Sequence, residues 1–251
     1  MNAASGPVWV EPTDPLPDPV SLPPAEPGLD ELSGLIAVGR DLHADRLLEA
    51  YSLGMFPWFT AGQPVLWWSP DPRMVLPLDE VRLHRSLRKV IQRHRRTGDW
   101  RVTLDAAFET VMRACAAPRG GEVGTWITSE MIDAYVALHQ RGFAHSVEVW
   151  LDEPNGSRLI GGLYGVSIGR MFYGESMFAR VPDASKTALI ALVALLRTLE
   201  FSMIDCQQNT RHLASMGARE LPRASFLRQM SLLVDAPAPD WHRLKIELPA
   251  V

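Results

Sequence analysis

AHSVEVWLDEPNGSRLIGGLYGVSIGRMFYGESMF, residues 144–178, decides how this chain folds. AHSVEVWL (144–151), SRLIGGLYGV (157–166) and RMFYGESMF (170–178) are rich in β-branched, aromatic and other apolar residues, and the breaks between them carry Pro, Asn, Ser and Gly. Runs of this length between turn residues predict an antiparallel meander. SKTALIALVALLRTLE (185–200) is apolar nearly all round, which predicts a helix buried against that sheet. FSMIDCQ (201–207) reads as the next strand. Meander, helix and strand in that order predict an α+β fold around one central helix.

Working outward, DLHADRLLEAYSLG (41–54) predicts a short helix with a glycine stop, and the aromatic, proline-rich segments FPWF and PVLWWSPDPR follow it. WRVTLD (100–105) predicts a strand, AAFETVMRACAA an amphipathic helix, and TWITSEMIDAYVALHQRG a second helix capped by Thr125 or Thr128, with Met131, Tyr135 and Leu138 on one face. Residues 1–29 hold eight of the 20 prolines and little apolar periodicity, so they read as an extended, mostly disordered tail.

With 251 residues, 47% hydrophobic and 22% charged, the chain can bury a proper core. Its two cysteines, Cys115 and Cys206, are far apart, which excludes a disulfide framework and fits reduced thiols in a cytoplasm. The N-terminus lacks the pattern of a signal peptide, and the longest apolar run, 188–196, is too short to span a bilayer, so no membrane partner is expected. There is no P-loop, no dinucleotide fingerprint and no histidine pairing at metal spacing; no metal and no cofactor are expected.

The net charge of −4 conceals an asymmetry. RLHRSLRKVIQRHRR (82–96) carries seven Arg or Lys and no acid, which leaves the rest of the chain with 18 basic against 29 acidic residues. On a helix, Leu83, Leu87, Val90 and Ile91 form an apolar stripe, with Arg85, Arg88, Lys89, Arg95 and Arg96 opposite. Like charges without counter-ions repel, so this face predicts binding to a phosphate backbone, the alternatives being a plain solvated surface or a helix lying on an anionic membrane.

Two polar intrusions are candidate chemistry. Strand alternation turns Met203, Asp205 and Gln207 one way and Ile204 and Cys206 the other. Asp205 and Gln207 therefore either share a cleft or, for Asp205, cap the next turn. Glu175 lies in an apolar strand, where a carboxylate needs a partner or a role. Gly161, Gly162, Gly165 and Gly174 beside it mark either close approach of a ligand or a bulged corner. Cys206 with His212 is a formal thiol–imidazole pair, but a core-facing, inert cysteine is the expectation.

GLIAVGRDL (34–42), AYSLGMFPWF (50–59), LWWSPDPR (66–73), TWI (125–127), AYVALH (134–139), GGLYGVSIGRMFYGESMF (161–178), ASKTAL (184–189), IDCQ (204–207) and HLASMGA (212–218) together resemble leucyl/phenylalanyl-tRNA–protein transferases, bacterial enzymes of N-end rule degradation, over roughly residues 32–230. The resemblance implies transfer of Leu or Phe, and Met less well, from aminoacyl-tRNA to proteins beginning with Arg or Lys, by a cytoplasmic monomer. It implies a small N-terminal domain (30–78) after the tail, a GNAT-like acyltransferase domain (79–235) and a C-terminal extension (236–251). It implies that Asp205 and Gln207 are catalytic, that Glu175 contacts the aminoacyl-adenosine and the acceptor amine, and that Trp58, Trp126, Tyr51 and Tyr135 surround the terminal adenosine. It places the aminoacyl side chain among Leu163, Phe172, Met177, Leu189, Leu192 and Ile204, and the tRNA backbone on Arg85, Arg88 and Lys89. Two positions depart from the family, Arg40 and Glu200, where relatives carry glycine. Other readings are an acyltransferase using a thioester donor, a non-catalytic RNA-binding module, and a Cys206 nucleophile.

Overall fold

The computed structural model describes residues 6–21, 34–118 and 126–251. Thr125, one of the two expected helix caps, residues 1–5 and 22–29 of the expected tail, and residues 30–33 lie outside them. The fold is a mixed α/β arrangement of two sheets and seven α-helices among the described residues.

The smaller sheet runs β1 (Val8–Val10), β2 (Leu35–Gly39), β4 (Val65–Trp68), β3 (Phe56–Pro57), and helix α1 (Ala44–Ser52) lies between β2 and β3 in sequence. Its presence corrects the expectation for the tail: β1 pairs in parallel with β2, and Leu16 is buried. The reason lies on α1. Arg46, itself buried, donates to the carbonyls of Glu11 and Pro12, and Glu49 accepts from the Leu16 amide at 2.7 Å. The proline-rich backbone is thus held by side chains distant in sequence, satisfying polar groups that burial would otherwise strand.

The larger sheet runs β11 (Arg219–Leu221), β5 (Arg73–Pro77), β10 (Met203–Gln207), β9 (Met171–Ala179), β8 (Gly156–Ile168), β7 (Ala144–Glu153), β6 (Trp100–Leu104). β7, β8 and β9 form the expected antiparallel meander, and β10 joins β9 in parallel. β5, which precedes residue 79, is nonetheless a strand of this sheet, so the two sheets meet ahead of the boundary expected from sequence. Helix α5 (Ala184–Thr198) buries nine of its residues against β7, β8 and β9. Its close approach requires Gly161, where an added Cβ would stand 2.6 Å from that of Ala184. The opposite layer holds α3 (Phe108–Ala116) and α4 (Ser129–Gln140), whose first turn is capped by Thr128 accepting from the Met131 amide. Trp241, in the C-terminal extension, is buried and stacks on His145.

Helix α2 (Arg85–Thr97) ends at Gly98, which adopts φ 70° in the left-handed region. Leu87 and Ile91 are buried, while Arg85, Arg88 and Lys89 are exposed. Among the described residues none of these three cations has an ion-pair partner. They stand in the N-terminal turns, where the helix dipole disfavours positive charge. Glu200 takes φ 59°, a conformation glycine reaches freely, and pairs with Arg170 at 2.6 Å.

Candidate active site

Two β-bulges build the site. On β9, Tyr164 faces Ser176 and Gly165 faces Gly174, so Glu175 is the inserted residue. On β10, Asp205 faces Val75 and Gln207 faces Met74 of β5, so Cys206 is inserted. A bulge shifts the alternation of side chains by one residue and re-aims them. Phe172 and Met177, five positions apart, thereby reach the same side of β9.

The second bulge overturns the expected facing of β10. Asp205 does not share the cleft with Gln207: it is fully buried on the other side of the sheet. Gln207, at φ 57°, turns into the cleft, and Cys206 lines it beside Ile204 rather than facing away. Asp205 accepts from Arg73 Nε at 2.8 Å and from Arg73 Nη2 at 2.6 Å. Arg73 lies between the rings of Phe56 and Phe226 and donates to the Gly54 carbonyl. Asp205 Oδ1 also accepts the Gln207 backbone N–H at 3.0 Å, holding that residue in its left-handed conformation.

The Gln207 side chain donates from Nε2 to Glu175 Oε1 at 3.1 Å. Tyr51 donates to the same carboxylate at 2.6 Å and Tyr135 at 3.2 Å, and the two phenol oxygens lie 2.5 Å apart. Tyr51 and Tyr135 are wholly buried beneath Glu175, so they support the carboxylate instead of lining the space expected for an adenosine. Tyr173 donates to the Tyr51 carbonyl and completes the stack. Burial raises the Glu175 pKa to about 7, even though two phenols hydrogen-bond its charged form. Burial also pushes both phenols well up. The Cys206 thiol is raised by burial and by the charge of Asp205, which leaves no thiolate to act as nucleophile. His212 lines the same cavity, and burial lowers its pKa. No hydrogen bond joins it to Cys206 among the described residues.

Glu175 and Gln207 open onto a cavity of about 510 Å³. All six expected aminoacyl-pocket residues, Leu163, Phe172, Met177, Leu189, Leu192 and Ile204, line it, as do Trp58 and Trp126. Arg73 carried a readable signal that assigned it no role: a guanidinium opening the apolar strand RMVLP demands a buried partner.

The family model described as "Leucyl/phenylalanyl-tRNA protein transferase" matches residues 75–231, and its N-terminal-domain counterpart matches residues 40–71. The chain belongs to this family. It is a transferase. The leucyl/phenylalanyl-tRNA–protein transferase of Janthinobacterium sp. (strain Marseille) is 53% identical over 234 residues, covering 91% of this chain and 93% of that protein. The transferase of Bordetella avium (strain 197N) is 52% identical, covering 93% and 91%, and that of Stutzerimonas stutzeri (strain A1501) 53%, covering 89% and 96%. Among solved structures, FemX aligns over 72% of this chain and 67% of its own, at 13% identity and a TM-score of 0.46, too distant to assign a fold. Among the described residues no cluster of three His, Cys, Asp or Glu is placed to hold a metal ion, and no helix is long and apolar enough to cross a membrane.

Proposed function

We propose that the chain transfers Leu or Phe, and Met less well, from aminoacyl-tRNA to the α-amine of proteins beginning with Arg or Lys, marking them for N-end rule degradation. The observation that carries this reading is the union of an apolar cavity with a carboxylate and an amide at its mouth. An apolar pocket distinguishes hydrocarbon side chains by only about 1–3 kcal/mol per methylene. It therefore accepts Leu, Phe and Met while rejecting charged residues, whose desolvation it does not offset. The larger sheet with its central helix is read as a GNAT-like acyltransferase half, and the enzyme as a cytoplasmic monomer.

The donor ester is already activated, so the reaction needs a neutral amine held against the carbonyl. Glu175, with a pKa of about 7, is closely matched to an α-ammonium of pKa ~7.7–8.0 and takes its proton. Gln207 is not a base. Its Nε2 is engaged by Glu175, which leaves its carbonyl oxygen to accept an N–H of the incoming amine and fix its approach. The amine nitrogen then bonds to the ester carbon, the carbon–oxygen bond to the ribose breaks, and the departing oxygen takes the second amine proton. Asp205 acts through the Gln207 backbone. Trp58 and Trp126 are the stacking surfaces for the terminal adenosine, and Arg85, Arg88 and Lys89 contact phosphates.

The test is transfer of labelled leucine from Leu-tRNA to an Arg-initiated peptide. Formation of the Leu–Arg peptide bond supports the reading. Equal binding of charged and uncharged tRNA without a product overturns it in favour of an RNA-binding module, and equal use of a leucyl thioester favours an acyltransferase of another class.

A further inference from the structure

The register of the smaller sheet aligns four side chains in one row. Trp9 on β1 stands beside Val38 on β2, Val38 beside Leu66 on β4, and the Trp58 amide donates to the Leu66 carbonyl at 3.0 Å, extending the β3–β4 ladder. Residues opposed across a ladder project to the same face. Val10, Ala37, Gly39, Val65 and Trp67, at alternate positions, are buried on the other face. The row itself is open: Trp9 is 47% exposed, Trp58 is 41% exposed, and Val38 and Leu66 are half-buried. Arg40, two residues beyond Val38 and therefore on the same face, holds its guanidinium 5.8 Å from the Trp9 ring. Glu11 accepts from the Trp9 indole at 2.8 Å and fixes that ring's orientation.

A flat, solvent-facing row that begins and ends in tryptophan and carries an arginine is the chemistry of a single-stranded nucleic acid platform. Bases stack on the aromatic faces, and a guanidinium meets a phosphate or stacks in turn. One end of the row is Trp58, which also lines the aminoacyl cavity. We propose that this face binds the unpaired nucleotides immediately before the terminal adenosine of the donor tRNA, with Trp9 and Arg40 as the outer anchor. The proposal rests on the aminoacyl-tRNA reading given above and adds a second RNA contact, separate from the basic helix α2. Three strand spacings of about 4.8 Å put the two tryptophan positions about 14 Å apart. Two nucleotides spanning that length advance about 7 Å each, roughly twice the rise of stacked bases, so they are splayed and laid against the sheet. Trp9 lies ahead of the residues that the family models match, and Arg40 is the first residue of the N-terminal-domain match.

The test compares two donors in Trp9→Ala and Arg40→Ala enzymes: leucyl-adenosine, which reaches no further than Trp58, and a leucylated cytidylyl-cytidylyl-adenosine trinucleotide. The expected result is a KM for the trinucleotide raised about tenfold or more, the weight of one stacked base, with the KM for leucyl-adenosine unchanged. The leucyl-adenosine rate certifies that each variant is folded. Replacing both cytidines by abasic sites is expected to erase the difference between wild type and Trp9→Ala. A trinucleotide KM equal to that of wild type, or an equal rise for both donors, overturns the platform. A wild-type enzyme that uses neither donor overturns the transferase reading beneath it.

Discussion

Arg73 and Asp205 form a doubly hydrogen-bonded ion pair in which neither side chain reaches solvent, and Asp205 then holds the backbone of Gln207. The polar residue that resembled a catalytic acid is thus a link between the buried core and the amide that faces the cavity.

Breaking that pair leaves one charge buried and alone. Asp205→Ala is expected to lower the unfolding free energy by about 3–5 kcal/mol, measured by urea denaturation. It is also expected to lower kcat for leucine transfer at a temperature where the variant remains folded, because Gln207 loses its anchor. A kcat equal to wild type removes Asp205 from the mechanism.

Glu175 sets a pH dependence. Its pKa is raised from 4.5 to about 7, so between those values the folded state retains a proton that the unfolded state has released. The carboxyl's contribution to stability is therefore greatest below about pH 4.5 and is lost as pH rises towards 7. Glu175→Gln is expected to flatten stability across that window and to remove the rise of kcat/KM near pH 7. The later rise caused by the acceptor amine remains. Parallel pH profiles of melting temperature and turnover check both.

Leu163 lines the cavity onto which Glu175 and Gln207 open, and Leu163→Phe fills part of it. Selectivity for Leu over Phe is expected to rise about 10-fold or more, in line with the ~1–3 kcal/mol that one methylene commands in such pockets. The ratio of kcat/KM values for the two charged tRNAs reads this directly.

Arg85, Arg88 and Lys89 are exposed on α2 and have no ion-pair partner among the described residues. Their joint replacement by Ala is expected to raise KM for Leu-tRNA and to reduce the slope of log KM against log salt by ~0.7–0.9 per lost phosphate contact. Leucyl-adenosine kinetics should not change. An unaltered salt slope refutes the assignment.

Cys206→Ala is expected to retain transfer activity within a few fold, since burial keeps the thiol protonated. Loss of activity with an unchanged melting curve revives the nucleophile.

The meander, the buried helix α5 and the strand β10 were legible because each is a local pattern: turn residues between apolar runs, then an apolar helix, then a short apolar run. The six side chains that the resemblance grouped together all line one cavity. The spacing of Phe172 and Met177 held an unused clue, because two residues five apart share one strand face only across a bulge.

By itself, the sequence determined which segments become helix and strand, because propensity and periodicity act within a few residues. Only the tertiary structure decided which way Asp205, Cys206 and Gln207 face. That orientation depends on an inserted residue opposite β5 and on the Arg73 cation arriving from 132 residues away, neither of which alternation along one strand encodes. The same holds for the N-terminal segment: its prolines forecast an extended chain, and Arg46 and Glu49 of a distant helix turned that extension into a packed strand.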